Sequence, residues 1–469
     1  MGKKEEFLLV IFGATGDLVR KKLIPSIYEL YRKKLINWNF VIMAVGRRDL
    51  VNKEYFNFVK SNIKKFEIKT WNKFTKKINY FKVDFSNKVE FRRLVNLVNK
   101  NKSKNRLFYL ATLPNHFKLI SDNLLKFGLN KGKGWNRIAF EKPFGDDLKS
   151  AIKINKSIKK IFREDQIYRI DHYLGKELVQ NIMVIRFANL VLSPLWNNKG
   201  IDHVQINIVE NFGVGDRGEF YDRCGALKDV VQNHLIQLLC LITIDTPKYF
   251  DSKNIRNEKI KILKSINHIK KKDIILGQYK GYKKEQDVLY NSKTETFAAL
   301  KLYINNSKWK GIPFYLRTGK ELNSKFSSVY IQFKDSPCVL FNKKECNLAP
   351  NYLHLRIQPN EGISLQLNIK SPGDSLNIVP TLMDFCHSCL YGINTPEAYE
   401  NLFIDILNGD QSVFVSMDEV KESWKIIERI KKIKPILYDY KINSRGPKEA
   451  ISLIKKDGRE WFDETNENY

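Results

Sequence analysis

Phe7-Leu-Leu-Val-Ile-Phe-Gly13-Ala-Thr-Gly16-Asp17-Leu18 is the stretch whose reading decides the fold. Apolar residues run without alternation into a glycine, and from Leu18 to Lys33 the apolar positions recur with helical spacing. The order is strand, tight turn, helix: the opening unit of a parallel sheet. Glycines let the backbone turn sharply and let a pyrophosphate approach the helix N-terminus, where unpaired N–H groups and the helix dipole favour an anion. The spacing is Gly-x-x-Gly, not the usual Gly-x-Gly-x-x-Gly, and such a turn taken alone is as often structural as ligand-binding.

Working outward, strand-like runs recur at Phe40–Val45, Tyr80–Val83, Arg106–Leu110 and Arg137–Phe140, with helical periodicity over Val89–Lys100. This βα alternation predicts an N-terminal α/β domain over residues 1–177 with a parallel sheet covered by helices. From residue 178 the pattern changes. Val204–Val209 and Ser364–Ile369 alternate with period two, and helical segments lie around Leu227–Ile242 and Asp418–Lys432. These predict an α+β domain over 178–469 with a large, mainly antiparallel sheet.

Composition bounds the function. In 469 residues, 43% hydrophobic and 12% aromatic, there is ample material for two sizeable cores, which excludes a wholly disordered chain. No apolar stretch approaches the roughly 20 residues of a membrane span. Met1–Phe7 has basic residues but no apolar signal region, and Glu6 stands where a myristoylation signal needs Ser or Thr. Six scattered cysteines do not form a disulfide framework, so the expectation is a reduced, cytoplasmic protein. The net charge of +30 admits phosphate-rich partners, either nucleic acid or small phosphorylated ligands. The basic residues come in short bursts such as Arg20-Lys-Lys22 and Lys270-Lys-Lys272, with no long basic tail, which is the pattern of a solvated face.

Five further motifs carry chemistry. Val45-Gly-Arg47-Arg48-Asp49 ends the second strand with two guanidinium groups, the donors a ribose 2′-phosphate needs, where a carboxylate would favour the free hydroxyls. Glu141-Lys142-Pro143-Phe-Gly145 puts an ammonium and a stiff turn at the carboxyl end of a parallel strand. Tyr168-Arg-Ile-Asp171-His172-Tyr173-Leu-Gly-Lys176-Glu177 packs donors for a phosphate monoester beside a carboxylate. Asp229-Val-Val-Gln-Asn233-His234-Leu-Ile-Gln237 puts an imidazole on the apolar face of a helix, with Asp229, Asn233 and Gln237 as a polar stripe beside it. Gly311–Lys325 presents Arg317, Lys320 and Lys325 just past a strand-like run. A phosphate-binding P-loop and a nucleophile elbow are missing, and Cys386-His-Ser-Cys389 has no second pair to complete a metal site.

Together these segments resemble the glucose-6-phosphate dehydrogenase family. The match includes Arg169–Glu177, Gly13–Leu18 with its unusual glycine spacing, Glu141–Gly145, Val230–His234, Leu316–Lys320, Pro396-Glu-Ala-Tyr-Glu400, Asp418–Trp424 and Gly446-Pro447, so it spans nearly the whole chain. The resemblance implies a Rossmann-like NADP-binding domain followed by a larger β+α domain that binds substrate and dimerises through its sheet. It implies oxidation of β-D-glucose 6-phosphate at C1 to the 1,5-lactone with hydride transfer to NADP, the opening step of the oxidative pentose phosphate pathway. His234 would be the general base and Asp171 its partner. His172, Tyr173 and Lys176 would hold the substrate phosphate, and Glu210, Asp229, Lys320 and Lys325 the sugar. Gly13, Ala14, Thr15, Gly16, Asp17, Leu18, Asp84, Lys142 and Pro143 would line the cofactor, with Arg47 and Arg48 on the 2′-phosphate and Lys142 also reaching substrate. The same resemblance implies a homodimer or homotetramer, with no metal, no membrane and no nucleic acid. The sequence departs from the family at Arg445, commonly Trp, and Lys228, usually Arg. Two rival readings are a dehydrogenase for another hexose 6-phosphate and an inactive, basic nucleic-acid-binding relative.

Overall fold

The opening apolar run forms β1 (Glu6–Phe12), with every residue from Phe7 to Phe12 buried. A strand without a polar face needs cover on both sides, so it takes a central place in a parallel sheet. β2 (Asn39–Gly46), β3 (Ile78–Lys82), β4 (Asn105–Leu110), β5 (Asn136–Glu141) and β6 (Ile167–Ile170) complete that sheet in the order β3-β2-β1-β4-β5-β6, parallel throughout. The order reverses between β1 and β4, so the crevice past their carboxyl ends is the switch point at which such sheets bind ligands. β6 was absent from the strand-like runs above because its four residues include Tyr168 and Arg169, which break the apolar pattern. The computed structural model describes residues 6–36, 38–336, 348–373, 377–391 and 396–463. Residues 1–5, read above for a leader, and the cysteines at 338 and 346 lie outside that set.

The chain divides into two compact units, and the division differs from the single boundary expected after residue 177. The first unit is Met1–Gly175 together with Asp251–Arg256 and Pro396–Lys421; the second takes the rest. The returning segments complete the first unit's core. Helix Ala398–Asn408 contributes Leu402, Phe403, Ile406 and Leu407 to the same buried cluster as Phe7, Leu9 and Ile27. Arg137 donates to the carbonyls of Ile406 and Leu407 at 2.6 and 2.7 Å, satisfying orphan acceptors at the helix end. Arg256 donates to the Phe414 carbonyl and to Gln411. Periodicity reveals that a helix has an apolar face but not which sheet that face covers, so sequence order alone did not show that these segments pack on the first unit's core.

The second unit is built on a nine-stranded sheet of β7 (Ile201–Val209), β8 (Ile274–Tyr279), β9 (Phe297–Leu302), β10 (Phe314–Gly319), β11 (Phe326–Phe333), β12 (Tyr352–Gln358), β13 (Gly362–Lys370), β14 (Ile378–Cys386) and β15 (Leu437–Tyr440). Its order is β14-β13-β12-β11-β7-β10-β9-β8-β15. Only β7 with β10 and β8 with β15 run parallel, so the sheet is mainly antiparallel, as the period-two runs predict. Arg459 pairs with Asp202 and Arg317 with Asp463, pinning the chain after 457 to this sheet. Cys386 and Cys389 are joined in a disulfide, which corrects the expectation of fully reduced cysteines. β14 ends at Cys386 and the chain turns at once into a short helix, bringing the two Cα atoms within 5.2 Å, a bridgeable distance. Among the described residues no helix is long and apolar enough to cross a membrane.

If the returning helix completes the first core, Phe403→Ala should destabilise that unit by about 3–5 kcal/mol, the usual cost of truncating a buried phenylalanine. Chemical denaturation followed by a probe in the first unit measures it; a loss below about 1 kcal/mol would place the helix outside the core.

Candidate active site

Past the carboxyl ends of β1, β2 and β4 the first unit holds a cleft of about 550 Å³ lined by Gly13, Thr15, Gly16, Arg47, Arg48 and His116, among others. Gly13 makes the turn at φ +86°, and a Cβ there would stand 2.5 Å from the Ala111 carbonyl oxygen. Only glycine fits this approach of the first turn to the β4 end. The amides of Gly13 and Ala14 both donate to the Val45 carbonyl, which ties the turn to the end of β2. Helical turns begin at Asp17, and the Arg20 amide donates to the Gly16 carbonyl at 3.1 Å. Their first N–H groups therefore suit a pyrophosphate, and the residues present fit a dinucleotide.

Arg47 and Arg48 are exposed one and two residues past β2. The Arg48 guanidinium lies over the Phe58 ring at 5.4 Å. Asp49 is bound to Lys82 at 2.7 Å, so its charge is already matched. Asp17 sits at the helix start but pairs outward with Arg20 and Lys21 at 2.9 and 2.8 Å, and these bonds hold its carboxyl below the usual range. Asp84 accepts from the amide and hydroxyl of Ser86, bonds that likewise lower its pKa, with the charges of Arg47 and His116 adding to the effect. His116, on the first turn of the helix Asn115–Lys126 that follows β4, lines the cleft with Phe85 and Ala111–Leu113, and no motif marked these residues.

The β5 and β6 ends carry the next set. Lys142 follows Glu141, the last residue of β5. Asp171 follows β6 and is fully buried, with its Oδ1 accepting from the Tyr173 amide at 3.0 Å. That bond shapes the turn over His172–Gly175, which leaves His172 half-buried and buries Tyr173.

The second unit begins at Lys176, whose ammonium donates to Gln358 Oε1 at 2.7 Å. Gln358 closes β12, 182 residues away, and no motif marked it. In the same unit β7 and β10 run parallel with Val209 opposite Gly319, so the residues that follow, Glu210 and Lys320, emerge side by side. They pair at 2.6 Å, with Lys320 almost fully buried. The Lys320 ammonium lies 4.9 Å from the Phe212 ring and 5.1 Å from that of Tyr221, and Lys325 lies 5.3 Å from Phe212. Burial, with the charges of Asp229 and Glu210 adding, holds the Tyr221 phenol well above its ordinary range.

His234 is buried, 2% exposed, on Leu227–Leu235, which winds as a π-helix between Gly218–Ala226 and Ile236–Thr243. Simple α spacing therefore fails here, and wide turns of this kind concentrate at functional sites. Gly225 enters it at φ +66°, where a Cβ would meet Glu295. Two members of the expected polar stripe make bonds within the fold. Asn233 donates to the Lys228 carbonyl, and Gln237 accepts from the buried Lys259 at 3.0 Å.

Comparison with known proteins agrees with this geometry. Residues 10–181 match the glucose-6-phosphate dehydrogenase NAD-binding domain, and residues 183–462 match the C-terminal domain of the same family. The chain is 42% identical to the glucose-6-phosphate 1-dehydrogenase of Bacillus subtilis (strain 168), over 97% of its own length and 98% of the relative's. Among solved structures it resembles a glucose-6-phosphate dehydrogenase in complex with its substrate glucose-6-phosphate, with TM-score 0.91 and 34% identity over 98% and 99% of the two chains. It also resembles the Mycobacterium avium enzyme, with TM-score 0.85 and 32% identity over the same shares. The Rossmann-like unit, the large mixed sheet and the full-length likeness together place this chain in the glucose-6-phosphate dehydrogenase family.

Proposed function

We infer that the chain oxidises β-D-glucose 6-phosphate at C1, forming 6-phospho-D-glucono-1,5-lactone with hydride transfer to NADP. One observation carries the reading: the likeness to a dehydrogenase described in complex with glucose-6-phosphate runs the length of the chain. Hydride leaves C1 more readily as the hydroxyl proton is withdrawn, so His234 acts as the general base on that hydroxyl. Asp171 supports the imidazolium that forms. His172, Tyr173 and Lys176 bind the phosphate, with Lys176 already oriented by Gln358. Glu210, Asp229, Lys320 and Lys325 hold the sugar hydroxyls. Gly13 to Leu18, Asp84, Lys142 and Pro143 position the dinucleotide, which supplies the hydride acceptor when bound; the protein contributes orientation and charge.

Preference for NADP rests on Arg47 and Arg48, with Asp49 paired to Lys82. Leu367, Ile369 and Met383 on β13 and β14 are 37%, 46% and 59% exposed, which supports self-association as a homodimer or homotetramer. We place the enzyme in the cytoplasm. NADPH formation with glucose 6-phosphate, compared with galactose 6-phosphate and free glucose, tests the substrate; faster turnover of either competitor overturns it.

Arg47→Ala should raise the KM for NADP about 10–150-fold, the value of a charged hydrogen bond, and leave NAD kinetics nearly unchanged. Equal losses with both cofactors would remove the 2′-phosphate role. His234→Asn should lower kcat by at least about 10²-fold while the substrate dissociation constant stays near its original value. Near-normal turnover with a lowered melting temperature would make His234 a core residue instead.

A further inference from the structure

We propose that Glu141 is a positioning residue for this reaction: clamped by the phenols of Tyr109 and Tyr399, its carboxylate orients and charges the strand ends that carry Lys142 and Asp171. The inference rests on the dehydrogenase reading above and assigns a role to two motif residues, Glu141 and Tyr399, that the reading leaves idle.

The geometry lies wholly within the first unit. Glu141 ends β5, next to Lys142. Tyr109, on β4 and fully buried, donates to Glu141 Oε1 at 2.5 Å. Tyr399 reaches the same carboxylate from helix Ala398–Asn408, the returning element that sequence order gave to the other domain. Its ring stacks on His172 with centroids 6.5 Å apart and planes 10° apart. The titratable and charged groups facing Glu141 are therefore Tyr109 from β4, Tyr399 from the returning helix, Asp171 from the end of β6, and Lys142 on its own strand. Two phenols aimed at one carboxylate stabilise its anion, whereas enclosure and the Asp171 charge oppose it. Burial pushes Glu141 up to about 7; the bonds from Tyr109 and Tyr399 and the charge of Lys142 pull against this, and Asp171 adds to it. Glu141 thus changes charge near neutrality, and with it the field on Asp171 and Lys142.

The sign for stability follows. Between the ordinary glutamate range and about 7, the folded chain keeps a proton that the unfolded chain releases, so stability falls as pH rises through that window. A mere packing role for Glu141 has no counterpart to a change in the kinetic profile.

The test is the pH dependence of kcat for NADPH formation from glucose 6-phosphate by the full-length enzyme, wild type against Glu141→Gln and Tyr399→Phe. Glu141→Gln is an isosteric, permanently neutral replacement. It should abolish an inflection near neutrality, lower kcat above that pH about 3- to 10-fold, as a displacement of half to one pKa unit would, and change the substrate KM less than about twofold. It should also flatten the fall of melting temperature across the same window. Tyr399→Phe removes one bond to the anion and should move the inflection to higher pH, so the proposal stays testable if Glu141→Gln fails to fold. An active Glu141→Gln enzyme with the wild-type profile, or a Tyr399→Phe enzyme with an unmoved inflection, overturns the role. A wild type that forms no NADPH overturns the dehydrogenase reading itself, and the role with it.

Discussion

The burial of Phe7–Phe12 on both faces is the constraint from which the first unit follows. A strand without a polar side must be flanked by strands and covered above and below, and parallel neighbours joined through helices meet both needs. The cover comes from near and far in the sequence. Helix Ile24–Arg32 follows β1 directly, while helix Ala398–Asn408 returns after more than two hundred residues of the other unit's sheet. Because every pairing in this sheet is parallel, all carboxyl ends open on the same edge. Gly13, Arg47, Ala111, Lys142 and Asp171 each follow within one residue of a strand end there.

The second unit uses parallel pairing sparingly. In a mainly antiparallel sheet the neighbouring strand ends alternate in direction, so functional residues following two strands seldom meet. Of the sheet's two parallel pairs, β7 with β10 delivers Glu210 beside Lys320. Two cations of this unit are held in place within the fold: Lys176 by Gln358, Lys320 by Glu210. Holding a long, flexible ammonium in place in advance lowers the ordering cost of binding a phosphate or a sugar. Positive charge also lies on exposed helix faces such as Lys88–Lys100.

Much of this was legible in the amino-acid order. Unbroken apolar runs identified five of the six parallel strands, and alternation identified the antiparallel style of the second sheet. The dense polar peptide ending at Glu177 and the glycine turn at 13–16 stood out directly, because tight turns and polar clusters demand residue types that a core would reject. Where a short strand carried polar side chains, the pattern failed. β6 was hidden by the arginine and tyrosine it buries, and Arg169 is tolerated there because Glu164 and Asn155 receive its guanidinium.

Sequence by itself determined the local chemistry: which segments are strands or helices, where the backbone must turn on glycine, and which side chains bring charge. Those are properties of neighbours along the chain, set by periodicity and steric freedom. Only tertiary structure decided which distant groups share a place. The partnership of Lys176 with Gln358, the clamp of Tyr109 and Tyr399 on Glu141, the π-helical turns under His234 and the return of residues 396–421 to the first unit all depend on contacts between remote segments. An apolar face or a buried polar group announces that it needs a partner; which partner it receives is fixed by how the sheets stack and in which direction their strands run.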